Sequence, residues 1–413
     1  MADYGVRNSV ILYGSSGKEY AQKIYNYLQE DNSVGRSQIN DRLILGEMEL
    51  NHFPNGEPDV RIGSNVRKRE VYIVQSFFPK DTIHNVPGRI KDIMFDNLRS
   101  KYGEIDEDLL NEVFNYTLNM LGGQLFDSEY RRVYDAFELL TINDAAKRAS
   151  AGSITNVLTT YPFGRQDRKS RGRQPITAKM FANLIERSGA DAVFTMDMHA
   201  DQLQGFFDIS CDNLNPGFYF LHDAKEKFGD LTKIKYRGAD QGANKKMERL
   251  LVDSKIEGLK GVEIESISKS RDLGREHYSK GFTSDVYKQN VVSMDDCIDT
   301  AGTFVNTAKA LFEQKRPPES LTFYATEALL SEPATERLEK LSRNHNIEIV
   351  TTDVLPYPED YISERSRWLR VIPVHQSFAH AIDRRDKADS VSDVLFKDFE
   401  TFENYIYKTY PTE

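Results

Sequence analysis

Short apolar runs recur along the chain, most of them bounded by turn-forming residues. Runs at 10–13, 70–76, 154–159 and 192–197 predict strands in the first half. Runs at 231–237, 262–267, 291–296, 321–325 and 347–352 predict strands in the second. Between them the apolar period changes from strand-like to helical. Ala21, Ile24, Tyr25 and Leu28 share one side of a helix that follows the turn Gly14-Ser15-Ser16-Gly17, and 175–187 and 304–311 read as further helices. Residues 58–62 alternate after Pro54, Asn55 and Gly56, which marks a hairpin tip. Strands that each feed a loop and then a helix predict an α/β protein with two lobes around central parallel sheets.

One span breaks this rhythm. Residues 79–135 open with a polar loop holding Pro79 and Pro87. They continue into a predicted helix over 106–121, with Leu109, Leu110, Val113, Phe114, Leu118 and Leu121 at helical spacing. The span is too apolar for a disordered linker and reads as a folded helical insertion: an oligomer contact, a lid, a regulatory element or a plain surface decoration.

The densest chemistry lies at Val291-Val292-Ser293-Met294-Asp295-Asp296-Cys297-Ile298-Asp299-Thr300-Ala301-Gly302-Thr303. A buried strand runs into two adjacent carboxylates, then into a turn of small and hydroxyl residues that opens a helix. Backbone N–H groups and the Thr300 and Thr303 hydroxyls at a helix N-terminus suit a phosphate. Asp295 and Asp296 would repel that phosphate, so they are assigned to sugar hydroxyls or a hydrated Mg²⁺. Together these describe a ribose 5-phosphate site; the competing reading is a strand–turn–helix whose aspartates only cap the helix.

Four other stretches carry candidate chemistry. Five of the nine residues from 165 to 173 are basic, in the loop that includes Arg165 and Gln166. Such a run alone is most often a solvated face, but here it lies between a strand and a helix, where α/β proteins bind ligands and arginines can grip phosphates. His199 follows the strand at 192–197, and alone it is too little for a metal site. Gly238-Ala239-Asp240-Gln241-Gly242-Ala243 offers small residues that let a ligand approach the backbone. Lys269 and Arg271, two apart at a strand end, can reach one anion, although a solvated loop is the commoner meaning.

Composition narrows the setting. With 413 residues, two or three domains with real cores are expected. No run approaches the ~18–20 apolar residues of a membrane span, and residues 1–9 lack a signal pattern. Two cysteines, Cys211 and Cys297, give no disulfide framework, and a reducing cytoplasm is expected. A net charge of −10 argues against non-specific nucleic-acid binding and requires any phosphate site to concentrate its positive charge locally.

The run at 291–303 resembles the PRPP-binding motif of the type I phosphoribosyltransferase fold. With His52-Phe53-Pro54-Asn55-Gly56-Glu57, the basic loop at 161–173 and Met198-His199-Ala200-Asp201-Gln202-Leu203-Gln204-Gly205-Phe206-Phe207, the chain resembles the ribose-phosphate diphosphokinases, or PRPP synthetases, over 8–78 and 136–395. The resemblance implies two type I phosphoribosyltransferase-like α/β lobes with mostly parallel sheets and a helical insertion in the first. Residues 1–214 would form the N-terminal lobe, with 375–413 packing back on it, and 215–374 the C-terminal lobe carrying the ribose 5-phosphate site. The implied reaction moves the diphosphoryl group of ATP to the C1 hydroxyl of ribose 5-phosphate, giving PRPP and AMP in the cytoplasm.

The resemblance also distributes roles. Arg165 and Gln166 contact ATP, and Phe53, Asn55 and Glu57 reach the adenine from a neighbouring subunit of a homo-oligomer, built from dimers up to a hexamer. His199 and Asp240 hold Mg²⁺, and Asp240, Gln241 and Gly242 form the diphosphate loop. Lys269 and Arg271, with His199, are the catalytic group. Asp295, Asp296, Asp299, Thr300, Ala301, Gly302 and Thr303 bind ribose 5-phosphate. Four positions depart from the family pattern. Gln241 replaces a glycine common in relatives. Ser170 replaces a common acid, and Glu327 stands where relatives continue Thr-His-Gly. Asn65 replaces a serine found in many bacterial and animal relatives, in a site for phosphate and ADP beside Arg67 and Asp212. Three rival readings are a non-catalytic PRPP synthetase-like regulatory subunit, a base phosphoribosyltransferase and a PRPP-sensing regulator. The last would need a DNA-binding domain and a basic face, and neither is visible in the sequence.

Overall fold

The computed structural model describes residues 8–30, 43–77, 131–238, 241–262, 264, 269–272, 275–278, 285–391 and 398–409. The first lobe is a six-stranded sheet whose paired strands are all parallel. Its strands are β1 (Ser9–Tyr13), β2 (Leu43–Leu45), β5 (Glu70–Gln75), β6 (Ser153–Leu158), β7 (Ala192–Met196) and β8 (Ser210–Leu214), in the order β2-β1-β5-β6-β7-β8. Helices α1 (Lys18–Glu30), α2 (Arg131–Arg148) and α3 (Thr177–Ser188) connect them. A separate antiparallel hairpin, β3 (Met48–His52) with β4 (Pro58–Ile62), carries the turn at 53–57. β5 is buried at every position, as a strand covered on both faces should be.

The second lobe repeats the plan with α4 (Gly217–Phe228), β9 (Lys235–Gly238), α5 (Gln241–Asp253), β12 (Asn290–Ile298), α6 (Gly302–Phe312), β13 (Ser320–Ala328), α7 (Ala334–Asn344), β14 (Ile347–Thr352), α8 (Glu359–Glu364) and β15 (Leu369–Ile372). Its sheet is also parallel throughout, in the order β15-β14-β13-β12-β9. Between α5 and β12 lies an antiparallel hairpin of β10 (Lys269–Asp272) and β11 (Arg275–Tyr278). Two parallel sheets flanked by helices are the α/β architecture expected.

α9 (His375–Asp386) and α10 (Phe399–Thr409) end the chain. α9 returns to the first lobe and lies on α1, where the rings of Tyr20 and Phe378 meet edge-on at 5.7 Å and Tyr27 Oη lies 3.0 Å from His380 Nε2. α10 instead packs on α4, with Phe402 against Tyr219 at 4.8 Å and Lys225 bonded to Glu403 at 2.6 Å. One apolar cluster runs unbroken between the sheets, from Ile11, Tyr72 and Phe194 to Tyr236, Val292 and Tyr324, with Phe378 at its centre. Each large side chain fully buried there is worth ~1.5–3 kcal/mol, which holds the lobes as one body.

The Gly14-Ser15-Ser16-Gly17 turn is a plain structural turn. Carboxylates of α2 occupy it: Glu138 Oε2 accepts from Ser15 N at 2.7 Å and from Ser15 Oγ at 3.0 Å, and Asp135 Oδ1 accepts from Ser16 Oγ at 2.6 Å. A carboxylate at a helix N-terminus is favoured by the helix dipole. Gly17 is required because a Cβ there would meet the Val74 carbonyl oxygen at 2.1 Å. Most of the expected insertion, residues 79–130, lies outside the described residues. Its expected end does not hold as a boundary, because α2 begins at Arg131, inside the span assigned to the insertion.

Candidate active site

The strand ends of the two sheets face each other across a cleft. From the first lobe come the loop after β6, with Arg165, and the turn after β7, with Asp197 and His199. From the second come the end of β12 and the turn into α6. Arg165 Nη1 donates to Asp299 Oδ2 at 2.7 Å, and its Nη2 donates to Cys297 Sγ at 3.3 Å. His199 Nδ1 lies 2.8 Å from Asp296 Oδ2. Residues about a hundred positions apart in sequence thus form direct cross-lobe ion pairs. Arg165, His199, Asp296 and Cys297 line a cavity of about 250 Å³ that also touches Arg132 and Glu327. A larger cavity of about 690 Å³ shares Asp197 and extends past Asp201, Lys246, Arg249 and Asp295.

β12 runs further than its apolar pattern predicts. Asp295 and Cys297 still pair with β13, opposite Ala325 and Glu327, so Asp296 is set within the sheet's last turn of pleat and not on a free loop. Ala301 then takes the left-handed conformation at φ 55 and caps α6 with no side-chain bond. The helix's own first-turn N–H groups have no partner within it, and Thr300 and Thr303 are exposed beside them. Arg337 fixes the turn by donating to the Thr300 carbonyl at 2.9 Å.

Charge organises the cleft floor. Lys246 Nζ donates to Asp197 Oδ1 at 2.9 Å, and Thr326 Oγ1 donates to Asp197 Oδ2 at 2.5 Å. Burial opposes the Lys246 ammonium, yet Asp197 and Asp296 raise its pKa above the ordinary lysine value. Burial dominates at Asp197 and lifts its carboxyl. At Asp296 burial is outweighed by the His199 bond and the Lys246 charge, so its carboxyl sits well below the usual range. The same bond, first among the causes, raises His199. Asp299 is also lowered: burial is offset by bonds from Ser331 and Arg165. The pattern is an ionised carboxylate row facing cations.

The other expected site residues fall in three groups. The Gln166 side chain turns away from the cavities and accepts from Thr177 Oγ1 at the start of α3. Phe53, Asn55 and Glu57 stand at the hairpin tip, where Phe53 is 50% exposed, and line neither cavity. Asp240 lies outside the described residues. So do the side chains of Gln241, at the start of α5, and of Lys269 and Arg271 on β10, whose backbones pair with Tyr278 and Glu276. Gly242 follows in the first turn of α5. Lys246 and Arg132 carry no motif signal of their own: Lys246 lies three residues past the Gly238–Ala243 loop and Arg132 near the end of the expected insertion, and only the fold turns each toward the cleft.

The model of the N-terminal domain of ribose phosphate pyrophosphokinase matches residues 9–96 and 128–189, leaving out 97–127 inside the expected insertion. The chain is 35% identical over 277 residues to a ribose-phosphate pyrophosphokinase of Hyphomonas neptunium, covering 66% of this chain and 85% of that protein. It is 31% identical over 388 residues to the enzyme of that name from Fusobacterium nucleatum, covering 94% and 98%. The crystal structure of phosphoribosylpyrophosphate synthetase from Mycobacterium smegmatis superposes with a TM-score of 0.67 at 25% identity, over 92% of this chain and 100% of that one. With relatives matched along nearly their whole length and the same two-lobed fold, the chain belongs to the ribose-phosphate pyrophosphokinase family of enzymes.

Proposed function

We propose that this chain transfers the diphosphoryl group of ATP to the C1 hydroxyl of ribose 5-phosphate, releasing AMP and forming PRPP. One observation carries the reading: Arg165 and His199 of the first lobe meet Asp299 of the β12–α6 turn and Asp296 at the end of β12 across one cleft. The sugar phosphate would sit on the open first turn of α6, held by the N–H groups there and by Thr300 and Thr303. Asp295 and Asp296 would orient the ribose hydroxyls. The C1 oxygen, losing its proton, bonds to the β-phosphorus of ATP in line as the bond from that phosphorus to the α-phosphate oxygen breaks. Such transfer depends on positioning and charge neutralisation more than on covalent help from the protein. Arg165, Lys269 and Arg271 would offset the charge building on the phosphate oxygens, on the order of several kcal/mol in a site shielded from water.

Mg²⁺ fits the donors at hand. On a polyphosphate it keeps several waters and takes one or two protein ligands; His199 and Asp296 stand side by side at the cavity mouth, and Asp240 would join them. When bound, the ion would offset the negative charge of the phosphates. The exposed hairpin tip with Phe53, Asn55 and Glu57 is suited to reach the cleft of a neighbouring copy, which supports a homo-oligomer. The test follows PRPP and AMP from ATP, ribose 5-phosphate and Mg²⁺, with wild type and Lys269→Ala. Wild type turns over, and the variant loses orders of magnitude in rate while still binding both substrates. No AMP from the pure wild-type chain would reject the reading in favour of a regulatory subunit, and equal rates would remove Lys269 from the mechanism.

A further inference from the structure

The helix that resumes the described chain after residue 130 begins with two arginines in different positions. Arg131 is committed to the first lobe: its Nε lies 2.9 Å from Asp135 Oδ1, and its Nη2 donates to Ser15 Oγ at 2.7 Å and Ser16 Oγ at 2.8 Å. Arg132 points the other way. It lines the 250 Å³ cavity with Arg165 and His199. Its Nη2 donates to the Phe77 carbonyl at 3.2 Å and faces Glu327 Oε1 of the second lobe at 3.8 Å.

That cross-lobe pair is slack. A separation of 3.8 Å is too long for a hydrogen bond, and buried Glu327 Oε1 meets no hydrogen-bond donor among the described residues. Glu327 stands opposite Cys297 in the β12–β13 register, two residues from Asp299 across the sheet end. The Arg132 charge also acts on Asp299 and helps keep it ionised. Arg132 therefore faces the end of β12 where the α6 turn begins, and 27% of its side chain remains open to solvent. A guanidinium with one backbone bond and a distant carboxylate exchanges that carboxylate readily for a phosphate, which can take two parallel N–H bonds.

We infer that Arg132 is a further binding residue for the phosphorylated sugar, with Glu327 as its resting partner and positioning residue. This rests on the reading of the β12–α6 turn as a sugar-phosphate site. It adds to that site a contact from the first lobe, so the sugar phosphate itself draws α2 toward β12 and β13.

The test is a calorimetric titration of ribose 5-phosphate into nucleotide-free full-length protein, together with kinetics in which each substrate is varied in turn. Arg132→Met weakens ribose 5-phosphate binding and raises its KM by ~10–100-fold, the loss expected for a charged hydrogen-bonded contact. The KM for ATP moves by less than ~3-fold, since that contact is not made to the nucleotide. Arg132→Lys recovers part of the loss. Glu327→Gln, which removes the competing carboxylate while keeping its shape, tightens ribose 5-phosphate binding by ~2–5-fold. Unchanged sugar binding in Arg132→Met, a loss confined to ATP, or no tightening in Glu327→Gln would each overturn the inference. Absence of PRPP from the wild type would defeat the proposed reaction alone, because the calorimetric arm does not depend on turnover.

Discussion

Asp386 ties α9 to the first sheet and sets a pH dependence that a single substitution removes. Its Oδ2 accepts from Ser9 Oγ at 2.7 Å and its Oδ1 from Tyr72 Oη at 2.6 Å, joining the C-terminal helix to β1 and β5. Burial is the largest influence on its carboxyl; the Tyr72 and Ser9 bonds pull the other way, and the negative charge of Glu70 and Asp383 adds to burial. The result is a rise from the usual 3.8 to about 6. The folded chain therefore holds this proton more tightly than the unfolded chain. The stability it contributes is fully present below pH 3.8 and is lost as pH rises through 6. At ~1.4 kcal/mol per unit, the loss is ~3 kcal/mol in all, of which ~1.3 kcal/mol falls between pH 5 and 7. Asp386→Asn cannot ionise and keeps an oxygen and an N–H for the same two hydroxyls. Urea unfolding of both proteins at pH 5, 6 and 7 isolates the effect, since other titrating groups cancel in the difference. The variant should gain ~1 kcal/mol on the wild type from pH 5 to pH 7. A difference that stays flat, or falls as pH rises, would refute the reasoning.

Two further outcomes follow from the cleft and its thiols. Asp296→Asn removes the main cause of the raised His199 pKa, so the imidazole should titrate at lower pH when followed by two-dimensional NMR; an unshifted titration would mean that the 2.8 Å pair does not form in solution. Burial lifts Cys211 to about 12 and, with the Glu327 charge, lifts Cys297 well above the usual thiol value. At pH 8 only ~1 in 10⁴ of the Cys211 side chains is thiolate. Iodoacetamide should therefore label neither cysteine at a free-thiol rate in native buffer, and both in urea; fast native labelling would show that these sites open.

The central strands β1, β5, β6, β7, β12, β13 and β14 were legible because parallel strands covered on both faces read as apolar runs, whereas the partly exposed edge strands β2, β8 and β15 gave too little signal. The limits of that signal show in α2. Its buried face includes Asp135, Glu138 and Asn143, which an apolar periodicity counts as outward-facing. They are buried because Ser15, Ser16 and Asn156 supply their partners, and those pairings span elements remote in sequence. The insertion's expected end at 135 thus fell past the turn of this helix that carries Arg131 and Arg132. The motifs behaved differently. Each named its own residues correctly as neighbours in sequence, and none said which residue of the other lobe it would meet.

That second kind of information carries the most physical content. Among the described residues, three basic side chains of the first lobe stand opposite carboxylates of the second: Arg165 with Asp299, His199 with Asp296, Arg132 with Glu327. In a chain with net charge −10 these cations are locally neutralised by the acids that face them. On the reaction proposed, phosphates entering the cleft take the arginines and release carboxylates that are already ionised. Those carboxylates need new positive charge, and a nucleotide that brings its own Mg²⁺ supplies it. Exchange of partners, not filling of an uncharged cavity, is therefore the event that substrate binding has to accomplish. Its free energy depends on the difference between carboxylate and phosphate as partners for the same guanidinium groups. That difference is small for an exposed pair such as Arg165–Asp299 and largest where the resting pair is slack, which is where Arg132 faces Glu327.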